Sequence, residues 1–527
     1  MSTPIPAERM PRQIPYIIGN EACERFSFYG MRNILTTFLV ASLLAYLPES
    51  ERPGAAKDVF HEFVIGVYFF PVLGGWLADR YFGKYNTVLW FSIVYCIGQF
   101  MLAAFTDNRY GFYAGLFLIA FGSGGIKPLV VSFMGDQFDQ SNKRLAKLAF
   151  DAFYWIINFG SLFASLFMPI FLREQGPVVA FAIPGVLMAI ATFVFWLGRK
   201  RYVMVPPTSP NPNSFFRVVT TALKAQRPGE GRAGFVVFVA GLALAAASLA
   251  TAPKLGFVPA VCLAIVFGVA AVGVGASLQL ERARGTHPDE AVDGVRAVLR
   301  ILIVFALTTP FWSLFDQKAS TWVLQGYEMT MPARELWWWP TFLVKDAAQM
   351  QALNPLLVML LIPFNNVVLY PALRRFGYEP TALRRMTTGI TFSGLAWVAA
   401  GLIQLQIDGG APTTLAWQIL PYALLTFGEV LVSATGLEFA YSQAPASMKG
   451  VIMSFWYLAV TIGNLWVLLA NAAVRNDAVT AAIATSGISV TAFQMFFFAG
   501  FALVAALVFG LYARVYPMRD HYRPVGA

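Results

Sequence analysis

The sequence predicts an all-α protein that crosses a membrane many times. Of its 527 residues, 57% are hydrophobic and only 13% are charged. Mean hydropathy is +0.61, and the apolar residues gather in runs of about 20, the length a helix needs to cross a bilayer. A soluble chain of this size would carry charges at roughly a quarter of its positions. Here too much apolar surface exists for water-facing helices to hide. In lipid the backbone must also satisfy its own hydrogen bonds, which helices do.

Taken in order, the first half offers six runs, at 14–46, 59–78, 85–105, 111–132, 148–172 and 178–197. The second half offers six more, at 298–315, 355–373, 387–407, 419–441, 451–474 and 493–512. Between them, 234–251 and 257–278 form an Ala/Val-rich pair joined by Ala252-Pro253-Lys254-Leu255-Gly256. The expected division is a six-helix bundle over 1–200, a cytoplasmic linker with two inserted membrane helices over 201–290, and a second six-helix bundle over 291–527, fourteen spans in all. The polar opening segment, with Arg9 and Arg12, meets the first run without a small-residue cleavage site, so that run is expected to remain in the mature protein.

Loops carrying Arg80 and Lys84, Lys143, Arg144 and Lys147, Arg199 to Arg201, Arg282 and Arg284, and Arg374, Arg375, Arg384 and Arg385 alternate with loops poorer in Lys and Arg. The positive-inside rule then places both termini in the cytoplasm. It places Arg334-Glu335-Leu336-Trp337-Trp338-Trp339-Pro340 on the outer side, where tryptophans suit the headgroup level. The net charge of +10 is spread over these short loops, so nucleic acid is not an expected partner. Cys23, Cys96 and Cys262 lie far apart in or beside apolar runs and read as packing residues.

The charges kept inside the spans carry the functional signal. Glu21-Ala-Cys-Glu24-Arg25-Phe-Ser-Phe-Tyr29-Gly-Met-Arg32 puts positions 21, 25, 28 and 32 on one helical stripe with Glu24 and Tyr29 beside it. Such a face must look into the bundle, since a charge in lipid costs at least ~2.5 kcal/mol. A Glu21–Arg25 pair at i,i+4 alone would explain two of the four charges. In the second span, His61 and Tyr68 share a face; the imidazole is either a titrating group or a headgroup-level histidine. In the fourth, Phe121-Gly-Ser-Gly-Gly-Ile-Lys127-Pro128 combines glycines for close helix approach with a cation that needs an acid partner, Glu21 or Glu24 by type. The fifth carries Asn158, and the seventh carries Asp316 and Lys318, readable as a gate ion pair or as a solvated helix end. Asn354-Pro355 opens the eighth span. Glu429, with Ser433 one turn on, sits amid apolar residues of the tenth, while Glu438 lies nearer the cytoplasmic end and reads as structural. Trp456 and Asn464 of the eleventh read as packing residues.

Two equivalent halves are suggested by a weak internal repeat, Asp79-Arg80-Tyr81-Phe82-Gly83-Lys84 after the second span and Arg374-Arg375-Phe376-Gly377-Tyr378 after the eighth. This plan, and the Asp-Arg-x-x-Gly-Lys loop, resemble the major facilitator superfamily, whose members bind substrate at the midplane of two repeats. Within it the chain resembles the proton-dependent oligopeptide transporters, the POT or PTR family, over nearly its whole length. The residues that carry the resemblance are Glu21-x-x-Glu24-Arg25-Phe, Gly-Gly-Ile-Lys127-Pro with Gly135-Asp136-Gln137-Phe138, Phe153-Tyr154-x-x-x-Asn158-x-Gly160-Ser161, and Gly-Glu429 through Tyr441-Ser442-Gln443-Ala444-Pro445. The inserted pair resembles the bacterial members.

The resemblance implies a symporter that imports di- and tripeptides with protons in a bacterial inner membrane, without a cofactor other than the coupling proton. It implies that a peptide's amino group meets Glu429, Asn158 and Asn354, that its carboxylate meets Arg32 and Lys127, and that Tyr29, Tyr68, Ser433 and Trp456 complete the binding set. Glu21, Glu24, Arg25, His61 and Asp316 are the implied proton-coupling set, with Asp316 holding Arg32 or Lys318. Phe28 departs from a frequent tyrosine, and Phe315 from an acid carried by some bacterial members. A small-anion carrier is the nearest rival, opposed by Glu429, since an anion offers no amine. An integral-membrane enzyme is opposed by the lack of a nucleophile, base and orienter set, with only His61, His287 and His521 available.

Overall fold

The computed structural model of the chain describes residues 10–138, 143–207, 211–226, 231–332, 338–443 and 448–517. Among these, every regular element is a helix. In chain order they are α1 (Ile14–Phe38), α2 (Arg52–Leu77), α3 (Gly83–Ala104), α4 (Arg109–Gly135), α5 (Lys143–Leu197), α6 (Phe215–Lys224), α7 (Ala233–Leu249), α8 (Ala252–Leu255), α9 (Phe257–Gln279), α10 (Asp289–Asp316), α11 (Thr321–Tyr327), α12 (Leu353–Phe364), α13 (Tyr370–Arg375), α14 (Ala382–Asp408), α15 (Ile419–Gln443), α16 (Lys449–Ala473), α17 (Asp477–Ala484) and α18 (Val490–Val515). Ten helical stretches among the described residues are long and apolar enough to cross a membrane. The chain is thus a multi-pass membrane protein. Apolar side chains also cover its outer surface, with Leu507 65% and Phe193 56% exposed, whereas Glu24 is fully buried.

Two of the ten stretches, Arg52–Ala104 and Leu148–Lys200, run to 53 residues each. At 1.5 Å per residue that is roughly 80 Å, more than twice the hydrocarbon thickness, so each must turn back. The turns fall where the sequence places Gly. Gly176 has φ 80° and ψ 173°, a conformation open to glycine alone, and Pro177 starts the next helical arm. Gly83 turns at φ 71°, and its counterpart in the internal repeat, Gly377, at φ 77°. The two Phe-Gly loops therefore each place their glycine at positive φ.

Contacts divide the chain into two units. The first comprises Met1–Thr208, Gln317–Phe364 and Gly410–Ala423. Within it α1 packs along α5, α3 along α4 and α5, and α2 along α4. The glycine run of α4 permits the last of these: a Cβ on Gly124 would stand 2.6 Å from the Phe70 backbone, and one on Gly74 2.2 Å from the Gly124 carbonyl oxygen. Buried hydrogen bonds cross-link α1 and α5, from Asn20 Nδ2 to the Ala191 carbonyl at 2.9 Å and from Ser27 Oγ to the Pro184 carbonyl at 2.7 Å. Segments from the second half of the sequence are fastened into this unit. Thr36 Oγ1 donates to the Ala319 carbonyl at 2.8 Å, Gln351 Nε2 to the Asn33 carbonyl at 3.1 Å, and Gln349 Nε2 to the Leu166 carbonyl at 2.7 Å.

The second unit comprises Ser209–Asp316, Asn365–Gly409 and Leu424–Ala527. Its strongest pairings are α7 with α9, α14 with α18, and α10 with α16. The sequence reading treated 201–233 as linker and missed α6, whose Phe215, Val218, Val219, Ala222 and Leu223 are buried. Phe215 packs edge-on to Phe455 at 5.8 Å. Gln279 Nε2 donates to the Ala222 carbonyl at 3.0 Å while its Oε1 accepts from the Phe235 amide at 3.0 Å. His287 stands 2.9 Å from both Thr221 Oγ1 and Asn213 Oδ1. The linker is thus a fitted part of its unit.

Most observed helices extend the apolar runs by a few polar residues. The largest differences are α10, which starts at Asp289 and not at 298 with two acids in its first turn, and α2, which starts at Arg52 and not at 59, where Pro53 suits a first helical turn.

Candidate functional site

In unit 1, α1 brings the acids and bases of the first span together as the stripe predicts. Arg25 Nε lies 2.8 Å from Glu21 Oε1 and 2.5 Å from Glu24 Oε2. Glu21 is 3%, Glu24 0% and Arg25 7% exposed. One guanidinium therefore neutralises two buried carboxylates, leaving the triad with a net charge of about −1 if all three are ionised. Lys127 of α4 lies within electrostatic reach of Glu21. Its ammonium also stands over two rings, 3.9 Å from the centroid of Phe28 and 4.6 Å from that of Tyr68. The sequence reading looked for an acid and did not foresee this aromatic seat, in which the quadrupoles of two rings hold the cation. The departure at Phe28 thus falls on a ring that touches Lys127. Arg32 is 6% exposed, with its guanidinium carbon 5.4 Å from the Phe60 centroid.

His61 is fully buried, and its Nε2 lies 3.0 Å from Ser320 Oγ. That burial removes the headgroup-level reading. Lys318, 5% exposed, donates to Asn354 Oδ1 at 2.7 Å, and Tyr422 Oη donates to the Lys318 carbonyl at 3.2 Å. Asn158 is 8% exposed and spends an amide proton on the Tyr154 carbonyl at 3.0 Å.

In unit 2, Asp316 is 1% exposed and accepts from Asn464 Nδ2 at 2.8 Å. The reading of residues 316 and 318 as a solvated helix end is thus corrected; both are buried. Asn464, read as packing, is the polar partner that sequence reasoning missed. An amide set between Ile462-Gly463 and the apolar run 465–470 of α16 was the available signal. Trp456 packs edge-on to Trp312 at 5.6 Å and Phe305 at 5.2 Å, as packing predicts. Glu429 and Ser433 are half-buried on α15, as are Tyr29, Tyr68, Lys127 and Asn354 in unit 1. The proposed coupling acids are thus closed to solvent, whereas much of the proposed binding set keeps some access.

The Gly135-Asp136-Gln137 motif has a structural use within unit 1. Lys84 Nζ donates to both Asp136 oxygens, at 2.9 and 2.7 Å. Gln137 accepts from the Val203 amide at 2.8 Å and from Gln13 at 3.2 Å, and donates to the Phe133 carbonyl at 3.0 Å. Residues 333–337 of the tryptophan run and Ala444-Pro445 lie outside the described residues, as do the side chains of Glu438, Tyr441 and Ser442. Of the run, Trp338 is 47% exposed and Trp339 7%, with rings edge-on at 6.1 Å.

A bundle of membrane-length apolar helices that buries an acid–base triad beside an aromatic-seated cation is a polytopic membrane protein that keeps charge away from lipid. The chain belongs to the POT family, whose profile matches residues 85–485. It is similar to an auto-inhibited POT family peptide transporter of known crystal structure, with 66% identity, a TM-score of 0.93, and coverage of 98% of this chain and 99% of that one. The POT family transporter PepTSo gives 64% identity, a TM-score of 0.94, and coverage of 98% and 100%. Peptide transporter family 1 of Caenorhabditis elegans is 33% identical over 427 residues, which is 76% of this chain and 46% of that protein. The chain spans about half the length of the curated relatives it matches.

Proposed function

We propose that the chain is a proton-coupled symporter that imports di- and tripeptides by alternating access of the halves 1–200 and 291–527. The observation that carries this is the buried Glu21–Arg25–Glu24 triad with Lys127 beside it. Two acids competing for one guanidinium have a use for a proton, and Lys127 is the cation whose availability that proton would change. Arg32 and Lys127 are the proposed partners of the peptide carboxylate, and Glu429, Asn158 and Asn354 those of its amine. Tyr29, Tyr68, Ser433 and Trp456 would contact side chains. Lys318 on Asn354 Oδ1 already puts an ammonium against that amide, so an incoming amine would displace it. His61 and Asp316 complete the proposed coupling set.

Counting each 53-residue stretch as two crossings and adding α1 and α7 supports a reading of fourteen spans. The basic loops support cytoplasmic termini, and the inserted helix pair supports a bacterial inner membrane. The test is reconstitution in liposomes. An acid-outside gradient accumulates a labelled dipeptide, and Glu429→Gln or Lys127→Ala abolishes that accumulation. Accumulation indifferent to the gradient overturns the coupling. Competition by nitrate and not by peptides would transfer the reading to a small-anion carrier.

A further inference from the structure

Behind the triad, α3 presents Ser92, Tyr95 and Gln99 on one face, all fully buried. Three buried oxygens here, Ser92 Oγ, Asn20 Oδ1 and Glu24 Oε1, have no hydrogen-bond partner among the described residues, while Glu24 Oε2 lies 2.5 Å from Arg25 Nε and the Tyr95 hydroxyl pairs with the Gln99 carboxamide. Buried polar groups are almost always paired, so such a cluster needs an explanation. The Tyr95 phenol interacts electrostatically with Glu24 and Arg25 and stands beside the Gln99 carboxamide. Gln99 is fixed from its other side, donating from Nε2 to Ser27 Oγ at 3.3 Å, which donates in turn to the Pro184 carbonyl. That commitment leaves Gln99 Oε1 as an acceptor one helical turn from Tyr95.

A buried phenol with one proton to give thus faces two acceptors in need of one. We infer that Tyr95 is a positioning residue for Glu24: its hydroxyl donates to Gln99 while Arg25 holds Glu24, and turns to the Glu24 carboxylate when Arg25 leaves. The hydroxyl thereby gives the freed Glu24 carboxylate a hydrogen-bond donor once Arg25 has left. The charged and titratable groups facing Glu24 are Glu21 and Arg25 on α1 and Tyr95 on α3, with Lys127 of α4 acting on Glu21 and Tyr68 of α2 lying against Lys127. α5 approaches Arg25 through Gly160, where a Cβ would stand 3.6 Å from the Arg25 Cβ.

The inference rests on Glu24 being a coupling acid, and the test separates the two. Gradient-driven dipeptide uptake is measured against external pH in proteoliposomes for wild type, Tyr95→Phe, Gln99→Leu, Glu24→Gln and Tyr95→Phe/Glu24→Gln. Tyr95→Phe removes one oxygen and is expected to move half-maximal uptake upward by about one pH unit, the worth of a hydrogen bond to a charged group. Gln99→Leu removes the competing acceptor and is expected to move it downward. The double variant is expected to match Glu24→Gln. Should Glu24→Gln keep the wild-type pH profile, the coupling assignment fails. Should Glu24→Gln lose it while Tyr95→Phe superimposes on wild type, or should Tyr95→Phe act equally with Glu24 gone, the role of Tyr95 is overturned. Opposite shifts from Tyr95→Phe and Gln99→Leu cannot arise from general loosening of the bundle, which would move both the same way.

Discussion

Removing the cation from the buried triad isolates what it does. Arg25→Met keeps a long unbranched side chain but leaves the Glu21 and Glu24 carboxylates, 2.8 and 2.5 Å from the lost Nε, without their shared counter-charge. Both acids are 3% exposed or less, so water cannot take the place of the guanidinium. Losing one partner of a buried pair costs about 3–5 kcal/mol. The loss cannot be fully repaid by Lys127, which is held by the Phe28 and Tyr68 rings. The cost falls on charged carboxyls, so it shrinks when they are protonated, because a neutral carboxyl is far cheaper to bury. The variant's folded state then binds protons more readily than its unfolded state, and its stability must rise as pH falls. The assay is thermal unfolding of purified Arg25→Met and wild type at pH 8 and pH 5. The expected result is a deficit of many degrees at pH 8 that narrows at pH 5, with Glu24→Gln/Arg25→Met intermediate at pH 8. A deficit equal at the two pH values, or none at pH 8, would refute the electrostatic account.

Gly124→Val should abolish folded expression, because its side chain would enter the Phe70 backbone at 2.6 Å, whereas Gly75→Ala, with nothing within 4 Å, should be silent in the same fluorescence-detected chromatography. Gly176→Ala meets no neighbour within 4 Å but must adopt φ 80°, so it should lower stability by about 1–3 kcal/mol through backbone strain alone, read by thermal unfolding. Asp136→Asn weakens a Lys84 ion pair whose two side chains are 20% exposed, and should cost about 1 kcal/mol or less, with the difference fading in high salt. Gln279→Leu unties α6 from α9 and should open 211–232 to limited proteolysis, while thermal unfolding of the whole protein changes little.

The spans were legible because lipid imposes one rule on every crossing helix: enough apolar residues in succession. The gap left between the runs 148–172 and 178–197 does contain the observed turn at Gly176-Pro177, although the sequence reading did not single out that pair. The Glu21, Glu24 and Arg25 grouping could be read from helical spacing, because all three sit on one element and 3.6 residues per turn fixes their neighbours. Lys127 was placed inside the bundle by its apolar surroundings. Its seat on Phe28 and Tyr68 was not visible, because three helices must meet before a ring and an ammonium do. The same holds for Asn464 and Asp316, which are 148 positions apart. The amphipathic α6 was hidden by its short length inside a segment rich in Pro and polar residues. The use of Gln137 as a clamp was hidden because a glutamine beside a membrane edge advertises nothing in particular.

The turn at Gly176 also bears on how the protein is made. Its two helical arms are joined by one glycine and a proline, with no loop long enough to wait outside the membrane while one arm settles alone. The two arms form a single helical hairpin, and a reporter tag or a long insertion placed between residues 176 and 177 would break its tight turn. Both arms carry the α5 face on which α1 packs, the first through Ser165 and the second through Pro184 and Ala191. The acid–base face of α1 can therefore complete its packing only when both arms of this hairpin are in place.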